Sequence, residues 1–301
     1  MLDRAVALLR AGQLVGMPTE TVYGLAADAT NADAVARIFD AKGRPSTNPL
    51  IVHVADEAAA KRYCTEWPDA AHRLAAAFWP GPLTIVLPKA ACIPDIVSAG
   101  KATVGLRSPD HPVALALLRE FDGPLAAPSA NKSNHVSPTT AQHVRDEFGD
   151  AVELVLDGGP CRVGIESTVL DLTPDVPTIL RPGAITREMI EQVLEKPVGQ
   201  FGGVVTSVTA AASSPGQHRV HYAPRTPAYR FDPQELGKID LTDAAILPIS
   251  LDADAYARQL YSRLRQLDQQ QLRAIYIELP PNVPEWHAVR DRILRATKPL
   301  P

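Results

Sequence analysis

A short run of two cations around a glycine, Lys42-Gly-Arg44, is the first candidate for chemistry in this chain. Lysine supplies a compact point charge and arginine a planar fork of donors, a combination suited to a polyphosphate or a carboxylate. Gly43 lets the backbone approach a ligand closely, while Pro45 and Pro49 stiffen the loop that follows. A solvated basic turn is the ordinary alternative for two such charges alone, so the interpretation depends on the other polar loops.

Several further loops carry cations, hydroxyls, amides and one imidazole, and each follows a short apolar run. Ligands of open α/β sheets gather beyond strand ends, so these loops could meet in one crevice. The candidates beside Lys42 and Arg44 are Thr19, Thr21, Asn48, His53, Arg107, Ser129, Asn131, Ser137, Ser167, Thr168 and Arg181. The set suits a ligand with several phosphates and a carboxylate. The chain shows no Walker loop, no dinucleotide-binding glycine run and no Ser-His-Asp arrangement that would identify a known nucleotide site or hydrolase. From their types alone, these residues predict an anion-binding protein that uses a nucleotide.

Each candidate also has a purely structural interpretation. Thr19 and Thr21 could satisfy the backbone of their own turn. His53, at the end of an apolar strand, could be a hydrogen-bonded core residue. The arginines at strand ends could pair with the nearest acids, Glu20 and Glu166. The spacing of the residues leaves these alternatives open.

The elements that would position these loops alternate between short apolar strands and amphipathic helices. Asn31 is placed to cap the helix that follows it. Strands are predicted at 14–17, 50–54, 83–87, 103–107, 125–127, 153–156, 167–171, 178–180, 244–249 and 274–279. Helices are predicted at 2–11, 32–41, 56–63, 68–79, 111–120, 140–148, 186–194, 252–267 and 285–295.

A change of composition after Lys196 divides the chain. Residues 197–230 are rich in Gly, Ser, Ala and Pro with little periodicity, which is typical of a linker. The predicted fold class is therefore α/β: a twisted mixed sheet flanked by helices over residues 1–196, a linker or lid over 197–230, and a small Rossmann-like α/β domain over 231–301.

The bulk composition restricts the class of function. The net charge is −4 and aromatic residues are 5% of the 301 residues, which argues against coating nucleic acid by bulk charge or stacking many bases. Cys64, Cys92 and Cys161 are odd in number and far apart, so neither a disulfide framework nor a zinc site is expected. No signal peptide and no apolar run of membrane-spanning length is apparent, and we expect a cytoplasmic protein without a membrane partner.

Six motifs in a fixed order resemble those of the YrdC-type family of L-threonylcarbamoyladenylate synthases, over about residues 1–195. They are Pro18-Thr-Glu-Thr-Val-Tyr-Gly24, Lys42-Gly-Arg-Pro45 with Asn48-Pro-Leu-Ile-Val-His53, Val104-Gly-Leu-Arg107, Ala127-Pro-Ser-Ala-Asn131 with Ser137-Pro-Thr139, Glu166-Ser-Thr-Val169, and Arg181-Pro-Gly183. His218-Arg-Val-His-Tyr-Ala-Pro224 resembles the linker motif of the two-domain members. One departure is Asn134, where the family often has glycine; asparagine tolerates the left-handed backbone that glycine would adopt.

The resemblance implies a YrdC-like fold and a nucleotidyltransferase that serves tRNA processing. L-threonine and bicarbonate would form a carboxylated amine, which attacks the α-phosphate of ATP and releases pyrophosphate. Threonylcarbamoyl-AMP would then pass to the machinery that modifies adenosine beside the anticodon. The expected partners are thus ATP, L-threonine, bicarbonate and this tRNA machinery, with at most a weak contact to RNA. Mg²⁺ is expected with ATP, without a protein carboxylate cage or a tightly bound organic cofactor.

The resemblance also assigns residues to two groups, without a catalytic nucleophile. The group implied for L-threonine and its carbamate is Thr21, His53, Arg107 and Ser167. The group implied for ATP is Arg44, Asn48, Thr103, Ser129, Ser137, Arg181 and Tyr222, and the chemistry of Lys42 and Asn131 adds them to it. Lys42 and Arg44 would form the phosphate clamp, and the linker around residues 218–224 would close over the adenylate as a lid.

Two other functions compete with this one. A relative that forms a carbamoyl-adenylate would need paired-cysteine motifs and extra domains, which the chain lacks. A module that binds double-stranded RNA would need basic residues spread across a broad face. The charges here accompany hydroxyls in small loops, which favours the enzyme.

Overall fold

The computed structural model of the chain describes residues 1–200, 222–249 and 252–301, and a mixed sheet of ten strands forms its centre. The strands are β1 (Val15–Met17), β2 (Gly24–Asp28), β3 (Ile51–His53), β4 (Leu83–Pro88), β5 (Thr103–Arg107), β6 (Leu125–Ala126), β7 (Leu154–Val155), β8 (Thr168–Asp171), β9 (Thr178–Arg181) and β10 (Gly199–Gln200). Their order is β10-β9-β8-β4-β5-β3-β6-β2-β1-β7. At the centre β3 pairs in parallel with β5 and antiparallel with β6, so the predicted mixed sheet is confirmed.

Helices pack their apolar sides against this sheet. They are α1 (Leu2–Arg10), α2 (Ala32–Lys42), α3 (Glu57–Ala60), α4 (Asp69–Phe78), α5 (Asp95–Ser98), α6 (Pro112–Phe121), α7 (Ala141–Phe148) and α8 (Arg187–Leu194). Leu9 of α1 and Leu117 of α6 lie in one buried cluster, while Ile38 of α2, Leu74 of α4 and Ile190 of α8 lie in another. Burial of these faces stabilises the sheet, at about 25 cal/mol for each Å² of apolar surface removed from water.

Helix α2 shows how the sequence positions a functional loop. Its N-terminus is capped by Asn31, whose Oδ1 accepts from the backbone N–H groups of Asp33 and Ala34 at 3.0 and 3.1 Å, as predicted. Its C-terminus is closed by Gly43 in the left-handed conformation at φ 59°, which costs glycine little. The chain therefore leaves the helix at a fixed angle, and Arg44 follows in a set position.

A second sheet, of four parallel strands, forms the C-terminal domain. Its strands are β11 (Ala228–Phe231), β12 (Ala244–Leu247), β13 (Ala274–Glu278) and β14 (Lys298–Pro299), in the order β12-β13-β11-β14, with the helices α9 (Ala253–Asp268) and α10 (His287–Ala296). The predicted small α/β unit is confirmed, although its first strand, β11, begins three residues before the predicted domain boundary at 231. Most of the predicted linker or lid, including residues 218–221 of the lid motif 218–224, lies outside the described residues.

The two domains share a buried apolar cluster. Val22, Val136 and Ile165 of the first domain lie in the same cluster as Leu260 and Ile293 of the second. The contact places α9 and α10 directly behind the loop that precedes β8.

Candidate functional site

The predicted polar loops meet in one cleft beside the strand ends, which holds about 530 Å³ of space between protein atoms. It is lined by Thr19, Thr21, Val22, Gly24, Arg44, Ile51, His53, Arg107, Ala127, Pro128, Ser129, Glu166, Ser167, Arg181 and Tyr222. Eight of the sequence-predicted binding residues are therefore in the wall of a single cleft: Thr21, Arg44, His53, Arg107, Ser129, Ser167, Arg181 and Tyr222. The site draws on loops that are up to about 200 residues apart in the chain.

The loop after β1 is ordered by its own hydroxyls. Thr19 Oγ1 accepts from the N–H groups of Thr21 and Val22 at 3.2 and 3.3 Å and donates to the Val22 carbonyl at 2.6 Å. Thr21 Oγ1 lies 2.9 Å from Thr19 Oγ1. Thr19 therefore has the structural role that was one of its two interpretations, since its hydroxyl closes a local turn. This turn presents Thr21 to the cleft.

A buried ion pair and a buried histidine form the next part of the wall. Arg107 Nη2 lies 2.6 Å from Glu20 Oε1, and both side chains are less than 5% exposed. Arg107 Nε also donates to the Gly81 carbonyl at 3.2 Å. Burial, together with the charge of Arg107, lowers the pKa of His53 to about 3. His53 is therefore a neutral ring at pH 7, able to hydrogen-bond to a substrate without adding charge.

Arg44 reaches the cleft with its guanidinium held by backbone. Its Nη2 donates to the carbonyls of Asn48 and Pro49 at 3.2 and 2.9 Å. Burial lowers the pKa of Arg44 to about 10, so that the side chain remains cationic at neutral pH. The Asn48 side chain is buried outside the cleft wall, and its Oδ1 has no hydrogen-bond partner among the described residues.

Lys42 and Asn131 lie beside the cleft and support its loop. Lys42 Nζ donates to the Ser129 carbonyl at 2.6 Å and to the Asn131 carbonyl. Asn131 Nδ2 donates to the carbonyls of Lys132 and His135 at 2.8 and 2.9 Å. Burial lowers the pKa of Lys42 well below its usual range. These contacts fix the backbone that carries Ser129; the predicted phosphate contact of Lys42 stays a prediction.

Arg181, at the end of β9, is oriented by the residue that precedes β8. Its Nε donates to the Ser167 carbonyl and its Nη2 to Ser167 Oγ, both at 3.1 Å. Ser167 Oγ also lies 2.8 Å from Thr84 Oγ1. Gly183 permits this packing, because a Cβ there would stand 2.3 Å from the backbone nitrogen of Thr168.

Thr103 and Ser137 lie near the cleft without lining it. Thr103 borders a neighbouring cavity of about 340 Å³, which shares Ile51 with the cleft. Ser137 is fully buried and donates to Glu166 Oε1 at 2.6 Å. Their predicted contacts with ATP stay predictions.

Glu166 has a different partner from the one considered in the sequence. One alternative from the sequence paired it with an arginine at a strand end, as Glu20 pairs with Arg107, but its ion pair at 2.8 Å is with Arg292 of α10. Tyr222 lies beside this pair: its ring stacks on Tyr261 at 5.7 Å between centroids, and the Arg292 guanidinium lies 5.2 Å from its centre. Arg292 and Tyr261 were not predicted from the sequence, because no local pattern in α9 or α10 distinguishes them from the other polar residues of those helices.

In the part of the chain that is described, no group of three or more His, Cys, Asp or Glu side chains is placed to hold a metal ion. Glu166, which lines the cleft, and Glu20, which pairs with the cleft residue Arg107, are each held by an arginine. None of the described helices is long and apolar enough to cross a membrane.

Comparisons with known proteins agree with this geometry. A family model described as "Telomere recombination" matches residues 7–183, and one described as "Threonylcarbamoyl-AMP synthase, C-terminal domain" matches residues 185–297. The chain is 48% identical over 230 residues to threonylcarbamoyl-AMP synthase of Bacillus subtilis and 46% identical over 220 residues to that of Pyrococcus abyssi. The alignments cover 75% and 73% of this chain but 65% and 64% of the relatives, just under two thirds of their length.

The similarity extends to the arrangement of both domains. A crystal structure of P. abyssi Sua5 complexed with L-threonine matches this structure with a TM-score of 0.92 at 37% identity. The match covers 98% of this chain and 94% of that one.

Proposed function

The chain belongs to the two-domain YrdC-type family, as its motifs predicted, and on that premise we propose that it is an L-threonylcarbamoyladenylate synthase. The observation that carries the proposal is the convergence of three buried arginines, Arg44, Arg107 and Arg181, with neutral polar side chains in one cleft. The neighbouring hydroxyls and the neutral His53 would hold L-threonine and its carbamate. Arg44 and Arg181 would hold the phosphates, which they can reach as rigid forks of donors.

The reaction needs positioning more than a protein nucleophile. An oxygen of the carboxylated threonine amine bonds to the α-phosphorus of ATP, and the bond from that phosphorus to the bridging oxygen of the leaving group breaks. The electron pair departs with pyrophosphate, whose developing charge the arginines neutralise. Glu20 and Glu166 are already held by arginines, and among the described residues no group of acidic side chains is placed to hold a metal. Mg²⁺ would therefore enter as the Mg–ATP substrate.

The product, threonylcarbamoyl-AMP, would pass to the machinery that modifies tRNA beside the anticodon, which places the activity in the cytoplasm. A double-stranded RNA module is not proposed, because Arg44, Arg107 and Arg181 are each less than a tenth exposed and so do not form a broad basic face.

Pyrophosphate release from ATP tests the proposal. We expect release that requires both L-threonine and bicarbonate, and a loss of about a hundredfold or more in the Arg44→Ala variant. The exposed Arg10→Ala variant should release pyrophosphate at the wild-type rate. Release that ignores L-threonine and bicarbonate would overturn the proposal.

A further inference from the structure

Glu166 joins side chains from three separate parts of the chain. Its Oε1 accepts the hydroxyl of Ser137 at 2.6 Å, while its Oε2 accepts the hydroxyl of Tyr261 at 3.0 Å and Nε of Arg292 at 2.8 Å. Arg292 Nη2 also donates to the Glu166 carbonyl at 3.3 Å. Two of these partners belong to the C-terminal domain, and Glu166 itself lines the cleft.

Arg292 is placed where an arginine is costly. Its side chain is 0% exposed, and Val289 and Ile293, its neighbours on α10, belong to the shared apolar cluster. A buried guanidinium is tolerated only with close partners, and here they are Glu166 and Asp291, the latter at 2.7 Å from Nη1. An apolar residue would fill this position at less cost if packing were its purpose. The position therefore indicates a need for positive charge beside Glu166.

That need follows from the charges of the cleft. Burial by itself would raise the pKa of Glu166, but the charges of Arg292 and Arg181 and the hydrogen bond from Ser137 lower it to about 2, so the carboxylate is ionised at neutral pH. An ionised carboxylate in the cleft wall repels an anionic ligand and attracts the charge of Arg181. Arg292 does not itself line the cleft, and its ion pair with Glu166 neutralises that charge.

We propose that Arg292 and Tyr261 are positioning residues through which the C-terminal domain neutralises Glu166, so that the charge of Arg181 acts on an anionic ligand. The same two side chains flank Tyr222 and hold its ring in the cleft wall. The inference rests on the proposed function, because the ligand it names is ATP. The C-terminal domain would thus act on the binding site through Glu166 and Tyr222, which line the cleft, whereas Arg292 and Tyr261 do not line it.

A double-mutant cycle on ATP binding to the full-length chain tests the inference. We expect Arg292→Met to weaken the affinity for Mg–ATP at least about tenfold, since it leaves a buried carboxylate unpaired. Adding Glu166→Gln should restore most of the affinity, because the uncompensated charge is then gone. Arg290→Met, two residues earlier on the same helix, is the matched control and should bind as the wild type does. Isothermal titration calorimetry measures five proteins: the wild type, Arg292→Met, Glu166→Gln, the double variant and the Arg290→Met control.

Restored affinity for Mg–ATP in the double variant would support charge neutralisation, because a residue that acted only by packing would not be rescued by removing the charge of Glu166. The inference is overturned if the Arg292→Met variant binds Mg–ATP as the wild type does, or if the double variant binds as weakly as the single one. Should Arg292→Met fail to fold, Arg292→Gln replaces it in the same cycle. A wild-type protein that binds no ATP would instead refute the proposed function, whereas wild-type binding without coupling refutes this inference alone.

Discussion

The two buried carboxylates, Glu20 and Glu166, set the charge of the cleft, since each compensates one arginine. The remaining guanidinium groups, on Arg44 and Arg181, are oriented by hydrogen bonds to backbone carbonyls or to Ser167. Groups that are held before the ligand arrives need not be ordered on binding, which increases affinity.

Removing the charge of Glu20 should destabilise the fold. In Glu20→Gln the buried guanidinium of Arg107 loses its counter-ion, a loss of about 3–5 kcal/mol for pairs of this kind. Glu153→Gln is the matched control, because its pair with Arg4 is more than half exposed and is worth about 1 kcal/mol or less. Thermal unfolding at pH 7 compares the two variants. Equal midpoints would show that the Glu20 pair is dispensable.

The protonation of His53 should make stability depend on pH. A folded-state pKa of about 3, below the usual 6.5, means that His53 stabilises the fold fully above pH 6.5 and less as the pH falls toward 3. From this residue alone we expect a loss of up to about 1.4 kcal/mol per pH unit below 6.5. The free energy of unfolding, measured with denaturant between about pH 6 and pH 5, should fall less steeply with falling pH for His53→Asn than for the wild type.

His143, whose pKa burial lowers to about 4, contributes equally to the wild type and to His53→Asn and cancels in the comparison. Parallel slopes for wild type and His53→Asn would mean that His53 titrates as an exposed residue does.

At the scale of elements, sequence periodicity predicted most of the helices and strands that carry the site. The cap at Asn31 forms as expected, because capping depends on residues only two or three positions away. Thr140, predicted as the first residue of its helix, is instead the residue that caps it. Strand β2 was missed, since it continues directly from a polar loop and its Gly-Leu-Ala-Ala sequence has no alternation. Strand β11 was missed because it lies within a segment whose composition is typical of a linker.

The loop between Cys161 and Glu166 depends on one glycine. Gly164 has φ 83°, and a Cβ there would stand 2.4 Å from the Cα of Arg258 on α9. Gly164→Ala should therefore separate α9 from this loop and lower the thermal midpoint by several degrees, with weaker binding of Mg–ATP. Gly100→Ala is the control: its φ of 76° is similar, but nothing lies within 4 Å, so it bears only the backbone cost of about 1 kcal/mol. Equal effects of the two variants would show that the domain contact is unimportant.

At the scale of the whole molecule, the C-terminal domain contacts two residues of the cleft wall, Glu166 and Tyr222. The sequence predicted the cleft residues of the first domain because they occur in short motifs. It did not predict that Arg292 and Tyr261 hold Glu166, because contacts between residues over 90 positions apart leave no local pattern. The domain that seemed an appendage in the sequence supports the electrostatics of the cleft.

The lid hypothesis can be tested at Tyr222, a residue of the predicted lid that lines the cleft. Its ring is buried in the cleft wall between Tyr261 and Arg292, and we expect it to shield the bound adenylate from water. Tyr222→Ala should therefore shorten the lifetime of the product on the enzyme, while Tyr222→Phe, which keeps the ring, should preserve most of it. Chromatography of the product over time measures the lifetime. An unchanged lifetime in Tyr222→Ala would contradict the hypothesis.

Mass spectrometry of the adenylate formed from ATP, L-threonine and bicarbonate labelled with a heavy carbon isotope tests the proposed synthase activity most directly. We expect a threonylcarbamoyl-AMP that carries the label, with one pyrophosphate released for each product. Arg44→Ala and Arg181→Ala should form far less of this product than Arg10→Ala does. An adenylate of threonine without the labelled carbon, or no adenylate despite bound ATP, would refute the proposed activity.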